Sequence, residues 1–367
     1  MRSIPGAWIR PSSYLGAVLF CLLTFWGNPV LGDDEIQYFD PGVGAIVSVA
    51  GTIEQESFQG LRFRVGSRGE LMEAPASLVV DVIYDVPGSF KPAYLQARTD
   101  EKKIQSLGLD RSERLQAIAV AIKSYEELLA LGSLARLGRA GPHFQFRLAR
   151  LKAEAAFDSP AKLQDALRDL RAFVKEHHDA WQTPSALRLA SRLCADRADY
   201  RSAAQIHRDA AGWSELPAKA KRDQAAEAVF FALLGKDASL AGQTLDSLRS
   251  QAPLGTPGAA RVHALLALAS AAQAKPDDAQ AMLNALAPSA KEPGDRAAIW
   301  LMRGFCEQSS GRQENALWAF LHVDHLYGAD RALHASAIQQ LIKLFEARGD
   351  GAKADAYRQR LWREFAG

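Results

Sequence analysis

Nothing in the 367-residue chain spells a catalytic signature. GxxxxGK(S/T), GxGxxG, GxSxG and HExxH are all missing, and Gly42-Val43-Gly44 is only a GxG before a strand, too little for a nucleotide loop. Charge of one sign is missing too. Lys and Arg number 44 against 42 Asp and Glu, a net +2, whereas a nucleic-acid partner usually calls for a strong basic excess. Cysteine is scarce, at three residues with no CxxC and no CxxCH, which excludes a zinc ribbon and a haem attachment. His177 and His178 are helix neighbours whose side chains point roughly 100° apart. His322 and His325 share a helical face around Asp324 but have no visible third ligand. Paired carboxylates such as Glu126-Glu127 and Asp277-Asp278 read as solvated charges. The chain therefore reads as non-enzymatic, with no catalytic, cofactor-binding or metal residue assigned.

The start of the chain has its own grammar. Arg2 and Arg10 precede the uncharged run YLGAVLFCLLTF, and Val30 and Gly32 stand at small-residue positions ahead of Asp33. That order predicts a secretory signal peptide over residues 1–32. The run falls short of the about 20 apolar residues a spanning helix needs, so no stable membrane span is expected after cleavage. Cys21 follows Leu19-Phe20 instead of small residues, which argues against a lipoprotein. The expected location is the periplasm or cell envelope. An oxidising compartment would permit a disulfide between Cys194 and Cys306. The repeats described next place the two beyond the roughly 7 Å that a bridge tolerates between Cα atoms, so both read as small buried apolar residues.

What the chain does contain is a repeat. A small residue, a large one four on and an apolar one three further occur at Ala316, Phe320, Val323. The same spacing recurs at Ala166, Leu170, Phe173; at Ala203, His207, Ala210; at Ala241, Leu245, Leu248; at Ala279, Leu283, Leu286; and at Ala354, Arg358, Leu361. The leading alanines step by 37, 38, 38, 37 and 38 residues, a period that marks a solenoid. Positions i, i+4 and i+7 form one apolar stripe on a helix, and the alanine lets a partner helix come close. Segments such as RAAIWLMRGFCEQSSG supply that partner, so each unit reads as helix, turn, helix. Ala121, Tyr125 and Leu128 repeat the spacing, but 45 residues separate Ala121 from Ala166, and residues 93–139 are expected to form an irregular capping region. Phe144, Phe146, Phe230, Phe231, Trp300 and Trp318 are expected mostly in the core, and Trp181 and Trp213 near turns between repeats.

Trp300, Gly304, Gly311, Ala316 and Phe320 resemble the tetratricopeptide repeat pattern W-x3-G-x6-G-x4-A-x3-F. Asp199-Tyr200-x2-Ala203 and Gly349-Asp350-x3-Ala354 are similar to its turn and second-helix start. The resemblance covers residues 140–367 and implies a mainly α fold, a TPR-like α-solenoid of antiparallel helix pairs. The long period is similar to that of exported bacterial envelope proteins of this class, which act as adaptors.

Upstream, Leu61, Phe63 and Val65 alternate with Arg62 and Arg64 as in a half-buried strand, and Gly66 and Gly69 bracket a hairpin turn. SLVVDVIYD reads as a strand covered on both faces. Residues 38–88 are expected to form a small β-barrel-like module, loosely resembling SH3-like or Sm-like barrels, with VPGSFKP as a hinge out of it. Arg147, Arg150 and Lys152 form a local basic cluster that hints at an acidic partner.

The resemblance also implies a place for a partner. First helices of tetratricopeptide pairs line a concave groove, which puts Arg188, Arg192, Phe230, Arg261, Leu301, Phe305, Gln339 and Lys343 along it. The expected function is a protein-interaction scaffold or adaptor of the cell envelope with a protein or peptide partner. The alternative is an accessory or regulatory subunit of an envelope enzyme complex whose β module binds a ligand.

Overall fold

The computed structural model describes residues 34–40, 42–43, 45–65, 69–104, 109–251, 259–272, 275–328 and 330–365. The expected signal peptide lies outside the described residues. Five strands come first: β1 (Asp34–Asp40), β2 (Ala45–Ser57), β3 (Gly60–Val65), β4 (Glu70–Pro75) and β5 (Val79–Ile83). They form one antiparallel sheet in the order β4-β3-β2-β1-β5. The sheet begins at Asp34, ahead of residue 38, because Asp34 to Asp40 pair along their whole length with Gly51 to Ala45. The long β2 shifts register between Ile53 and Gln55, which bends it so that it serves β1 with one half and β3 with the other. At the β2–β3 turn Gly60 has φ +147°, and a Cβ there would fall 2.1 Å from the Ala74 carbonyl oxygen, so only glycine fits.

Fifteen α-helices follow among the described residues. α1 (Lys91–Ile104) packs on α2 (Arg111–Ala130), and the one-turn α3 (Leu134–Leu137) leads into the array. The array is six pairs: α4 (Ala140–Asp158) with α5 (Leu163–Glu176), α6 (Thr183–Asp196) with α7 (Tyr200–Ala211), and α8 (Ala218–Leu234) with α9 (Ala238–Gln251). Then come α10 (Ala259–Ala272) with α11 (Pro276–Leu286), α12 (Pro293–Ser309) with α13 (Gln313–Leu326), and α14 (Arg331–Ala347) with α15 (Gly351–Phe365). This is a TPR-like α-solenoid. The six leading alanines all stand early in second helices, none more than 2% exposed. Gly304, on the first helix α12, shows how closely the two helices of a pair approach, since a Cβ there would fall 2.4 Å from the Phe320 ring of α13. The turns inside the pairs repeat as well. Ala198, Lys236, Gly311 and Gly349 all have φ between 58° and 76°. Asp199, Asp237 and Asp350 then cap the next helix by accepting from Ser202, Leu240 and Lys353 backbone N–H groups.

Residues 93–139 are more regular than expected. α1 and α2 form a further helix pair in which Ala121, Tyr125 and Leu128 are buried, and the period breaks because α3 and its flanking turns are inserted after it. The sheet is also not hinged from the helices. Ile36, Phe63 and Val82 of the sheet share one core with Tyr94, Tyr125 and Phe144, and Val86 and Phe90 of the expected hinge are buried in it. α4 joins the two halves: Ala140, Phe144, Leu151 and Ala155 face that front core, while Phe146, Ala149, Ala153 and Ala156 face the repeat core. Cys194 and Cys306 are buried free thiols in the repeat core, pushed up by burial to about 11 and about 12. Trp318, expected in the core, is 58% exposed on α13. No helix of the described residues is long and apolar enough to cross a membrane.

Candidate functional site

A first helix in such an array turns one face to its partner and the opposite face to the axis about which the pairs wind. All eight expected groove residues stand on first helices: Arg188 and Arg192 on α6, Phe230 on α8, Arg261 on α10, Leu301 and Phe305 on α12, Gln339 and Lys343 on α14. The structure does not leave them an open groove. Phe230 and Phe305, two pairs apart, meet edge to face with ring centroids 5.0 Å apart. With the Gln339 amide oxygen turned toward it, Arg192 donates from Nε at 2.5 Å and from a terminal nitrogen at 3.1 Å, across four pairs. Arg261 pairs with Glu227 of α8 at 2.5 Å, and Leu301 is fully buried. Arg188 donates to Ser185 at 2.9 Å, and Lys343 is half-buried. The winding is tight enough that the concave face packs against itself.

His207 belongs to the same interior. Its two ring nitrogens meet Gln224 Oε1 at 2.8 Å and Ser191 Oγ at 2.9 Å, and the ring stacks on Phe231. Burial lowers its pKa, so it stays neutral and takes the place of the large apolar residue in the repeat. The other histidine pairs separate. His177 contacts Gln145 and the Phe173 ring, whereas His178 points to Trp213. His322 stacks on Trp300 at 4.1 Å, His325 stays exposed, and Asp324 between them turns inward to His334, Tyr357 and Arg360.

Tight winding has an opposite consequence outside. Along the inner layer α4 touches α6, and α8, α10, α12 and α14 touch in turn, while consecutive second helices meet scarcely at all. Troughs open between them. One, of about 470 Å³, lies between α5 and α7 over Leu187 and Ala190 of α6, flanked by Val174, Ile206 and Trp213. A second, of about 690 Å³, lies between α9 and α11 and includes Leu245, Leu266 and the exposed Met282. Sequence reasoning missed both, because it follows the buried stripe of a helix and says nothing of how far the opposite faces splay.

The front of the molecule holds a buried ionic cluster. Asp81 of β5 meets Arg98 of α1 at 3.0 Å, Arg147 of α4 at 3.5 Å and His143 at 3.6 Å. Glu101 meets Arg147 at 2.7 Å and Arg150 at 3.5 Å, and accepts from Tyr125 at 2.8 Å. Burial would raise the Asp81 carboxyl, but Arg147, Arg98 and His143 outweigh it and hold it at about 2. Burial takes His143 down to about 3. Lys152 bridges Glu126 and Asp169. The acidic partner hinted at by Arg147, Arg150 and Lys152 is therefore the chain itself. Beside this cluster Tyr84 donates to Glu56 at 3.0 Å, and burial pushes the Glu56 carboxyl up to about 7. The sequence signal for the cluster was its basic half, Arg147 and Arg150; its acidic half, Asp81 inside an apolar strand and Glu101 on α1, was not read.

No family model and no curated protein matches the chain. Among solved structures, a tetratricopeptide repeat protein from Parabacteroides merdae ATCC 43184 is similar at 13% identity with a TM-score of 0.29, covering 70% of this chain and 99% of that one.

Proposed function

We propose that this protein is a non-enzymatic interaction scaffold of the cell envelope that holds a protein partner on the outer face of its solenoid. The observation that carries the reading is the inversion of the usual surface: the concave side is filled by its own Phe230, Phe305, Arg192 and Gln339, while open apolar troughs lie between second helices. A trough of a few hundred Å³ with an apolar floor and a few polar walls is what a binding site offers. The alternative, an accessory subunit with a ligand on the β module, gains nothing from the sheet, whose Ile36, Ile53 and Phe63 are committed to the helical core. Support for the envelope comes from the order of residues 1–32, and N-terminal sequencing from the native host should begin at or near Asp33. A photo-crosslinking residue at Ile206, with one at the fully buried Leu301 as control, tests the surface. Adducts from envelope extract are expected at position 206 and not at 301; the reverse would return the partner to the axis, and none at either would end the scaffold reading.

A further inference from the structure

The two outer troughs have different walls. Around the one between α9 and α11, Lys236, Asp246, Lys275 and Asp278 mix both signs on both sides. Around the one between α5 and α7 the signs are sorted. Arg171 and Lys175 stand one turn apart on α5, beside Leu170 and Val174 of the same trough, and His178 follows in the turn after the helix. Asp209 and Glu215 stand on the α7 side. Arg171 and Lys175 are exposed, and among the described residues neither reaches a carboxylate. One end of the trough is shut by another part of the molecule. Phe58, at the tip of the β2–β3 hairpin, packs with Leu187, Ala210 and Leu216 and meets the Trp213 ring edge-on at 6.5 Å. His178 meets the same ring at 6.1 Å. The sheet thus fixes the tryptophan that walls the trough.

We infer that the α5–α7 trough is the docking site for one amphipathic α-helix of a partner protein, with its apolar stripe on the half-buried Val174, Ile206 and Trp213, carboxylates along its α5-facing flank and basic side chains along its α7-facing flank. This rests on the scaffold reading and names the partner's chemistry. The occupant is a helix because two helices with a gap between them present ridges for a third at the usual 8–10 Å interaxial distance. A volume of about 470 Å³ takes the i, i+3, i+4, i+7 side chains of one helical face and excludes the whole helix. The occupant's charges follow from the sorted walls, where complementary rims set register and partner choice.

The test uses the chain from Asp33 and synthetic helices of about 15 residues, four turns long, with a Leu stripe and no Trp. One carries Glu on one flank and Lys on the other; a second carries Lys on both. Fluorescence anisotropy of labelled peptide should show the mixed helix bound in preference to the all-Lys helix, with a change in Trp emission that Trp213→Phe abolishes. Arg171→Glu with Lys175→Glu makes both walls acidic. It should weaken the mixed helix about ten-fold and strengthen the all-Lys helix, with unchanged melting since exposed charges add little to stability. Equal binding of both helices, no binding of either, or indifference to the double variant overturns the proposal. Crosslinked envelope partners separate the two readings. Equal capture at position 206 by the wild type and the double variant removes this trough's charge code and leaves the scaffold, whereas no capture at all with peptide binding intact removes the scaffold.

Discussion

The front core and the repeat core of this protein are built on opposite principles. In the repeats, closeness is achieved with small residues at fixed intervals: Ala166, Ala203, Ala241, Ala279 and Ala316 each sit under a first helix, and the stripe that follows is apolar apart from His207. At the front, Tyr94, Tyr125, Phe63, Phe90 and Phe144 fill the space, and the charged cluster of Asp81, Glu101, Arg98 and Arg147 is buried among them. A solenoid pair needs only its neighbours, so one local rule suffices and tolerates a run of copies. A sheet laid against helix ends has no such rule. It must be held in one orientation by contacts that cannot be made anywhere else, and a buried charge cluster supplies that at the cost of desolvating every member. α4 carries both kinds of contact on its two faces, which makes the two cores parts of one body.

The most direct way to break the comparison is to remove the sheet. If the two cores were independent, a chain starting at Lys91 would keep its helices. Val86, Phe90, Ile36 and Phe63 cover Tyr94 and Phe144, and Arg98 and Arg147 would lose Asp81, so the expectation is different. The fragment should lose hydrogen-exchange protection throughout α1, α2 and α4, and limited proteolysis of the whole protein should spare residues 86–92. Protection in α1 equal to that of the intact chain would show two separable cores.

Asp81→Ala is the next largest step. Removing one partner of a buried ion pair leaves the others uncompensated, at a cost of about 3–5 kcal/mol. Replacing both partners, Asp81→Leu with Arg98→Leu, should cost much less than the single change. Urea unfolding measures both. A double variant as unstable as the single one would mean that the pair's geometry, and not its charge, holds the sheet.

These two cores were not equally legible in the sequence. The repeats could be read because every contact that defines them is local or recurs at one period; the same stripe placed six second helices. The front cluster joins Asp81 to Arg98, His143 and Arg147, and Trp181 to Tyr84, on elements whose separation has no period. The eight axis residues sat on the right helices, but whether an axis is open depends on curvature summed over the pairs. Small rotations per repeat brought Arg192 to Gln339, and no single unit encodes that.

Inside the repeat core the rule itself can be tested at a smaller scale. Ala316 is fully buried under α12, and Ala316→Leu overpacks that contact at about 1–3 kcal/mol. Ala281 lies two residues beyond the equivalent Ala279 and is exposed, so Ala281→Leu should stay within about 0.5 kcal/mol. Equal shifts in thermal melting would mean that the stripe does not define the interface.

The smallest expected effect concerns pH, and it sets the front core apart from the repeats once more. Glu56 sits at the edge of the front cluster, where burial raises its carboxyl from 4.5 to about 7 while Tyr84 donates to it. A raised folded pKa means that the folded state holds the proton more tightly than the unfolded chain. Its contribution is complete below about 4.5 and disappears as pH climbs through about 7. His143, lowered from 6.5 to about 3, acts in the other direction. The unfolded chain takes up its proton first, so stability rises with pH from about 3 to 6.5. Between 4.5 and 6.5 Glu56 opposes His143 and the likewise lowered His207, so the wild type rises less steeply than its histidines alone would make it. Glu56→Gln removes one side of that balance. Its unfolding free energy should therefore rise between pH 4.5 and 6.5 relative to wild type, by on the order of 1 kcal/mol once the solvent reaching Glu56 is allowed for. Denaturation at several pH values within that window measures the slope, and parallel curves for the two proteins would show that Glu56 is ionised in the fold.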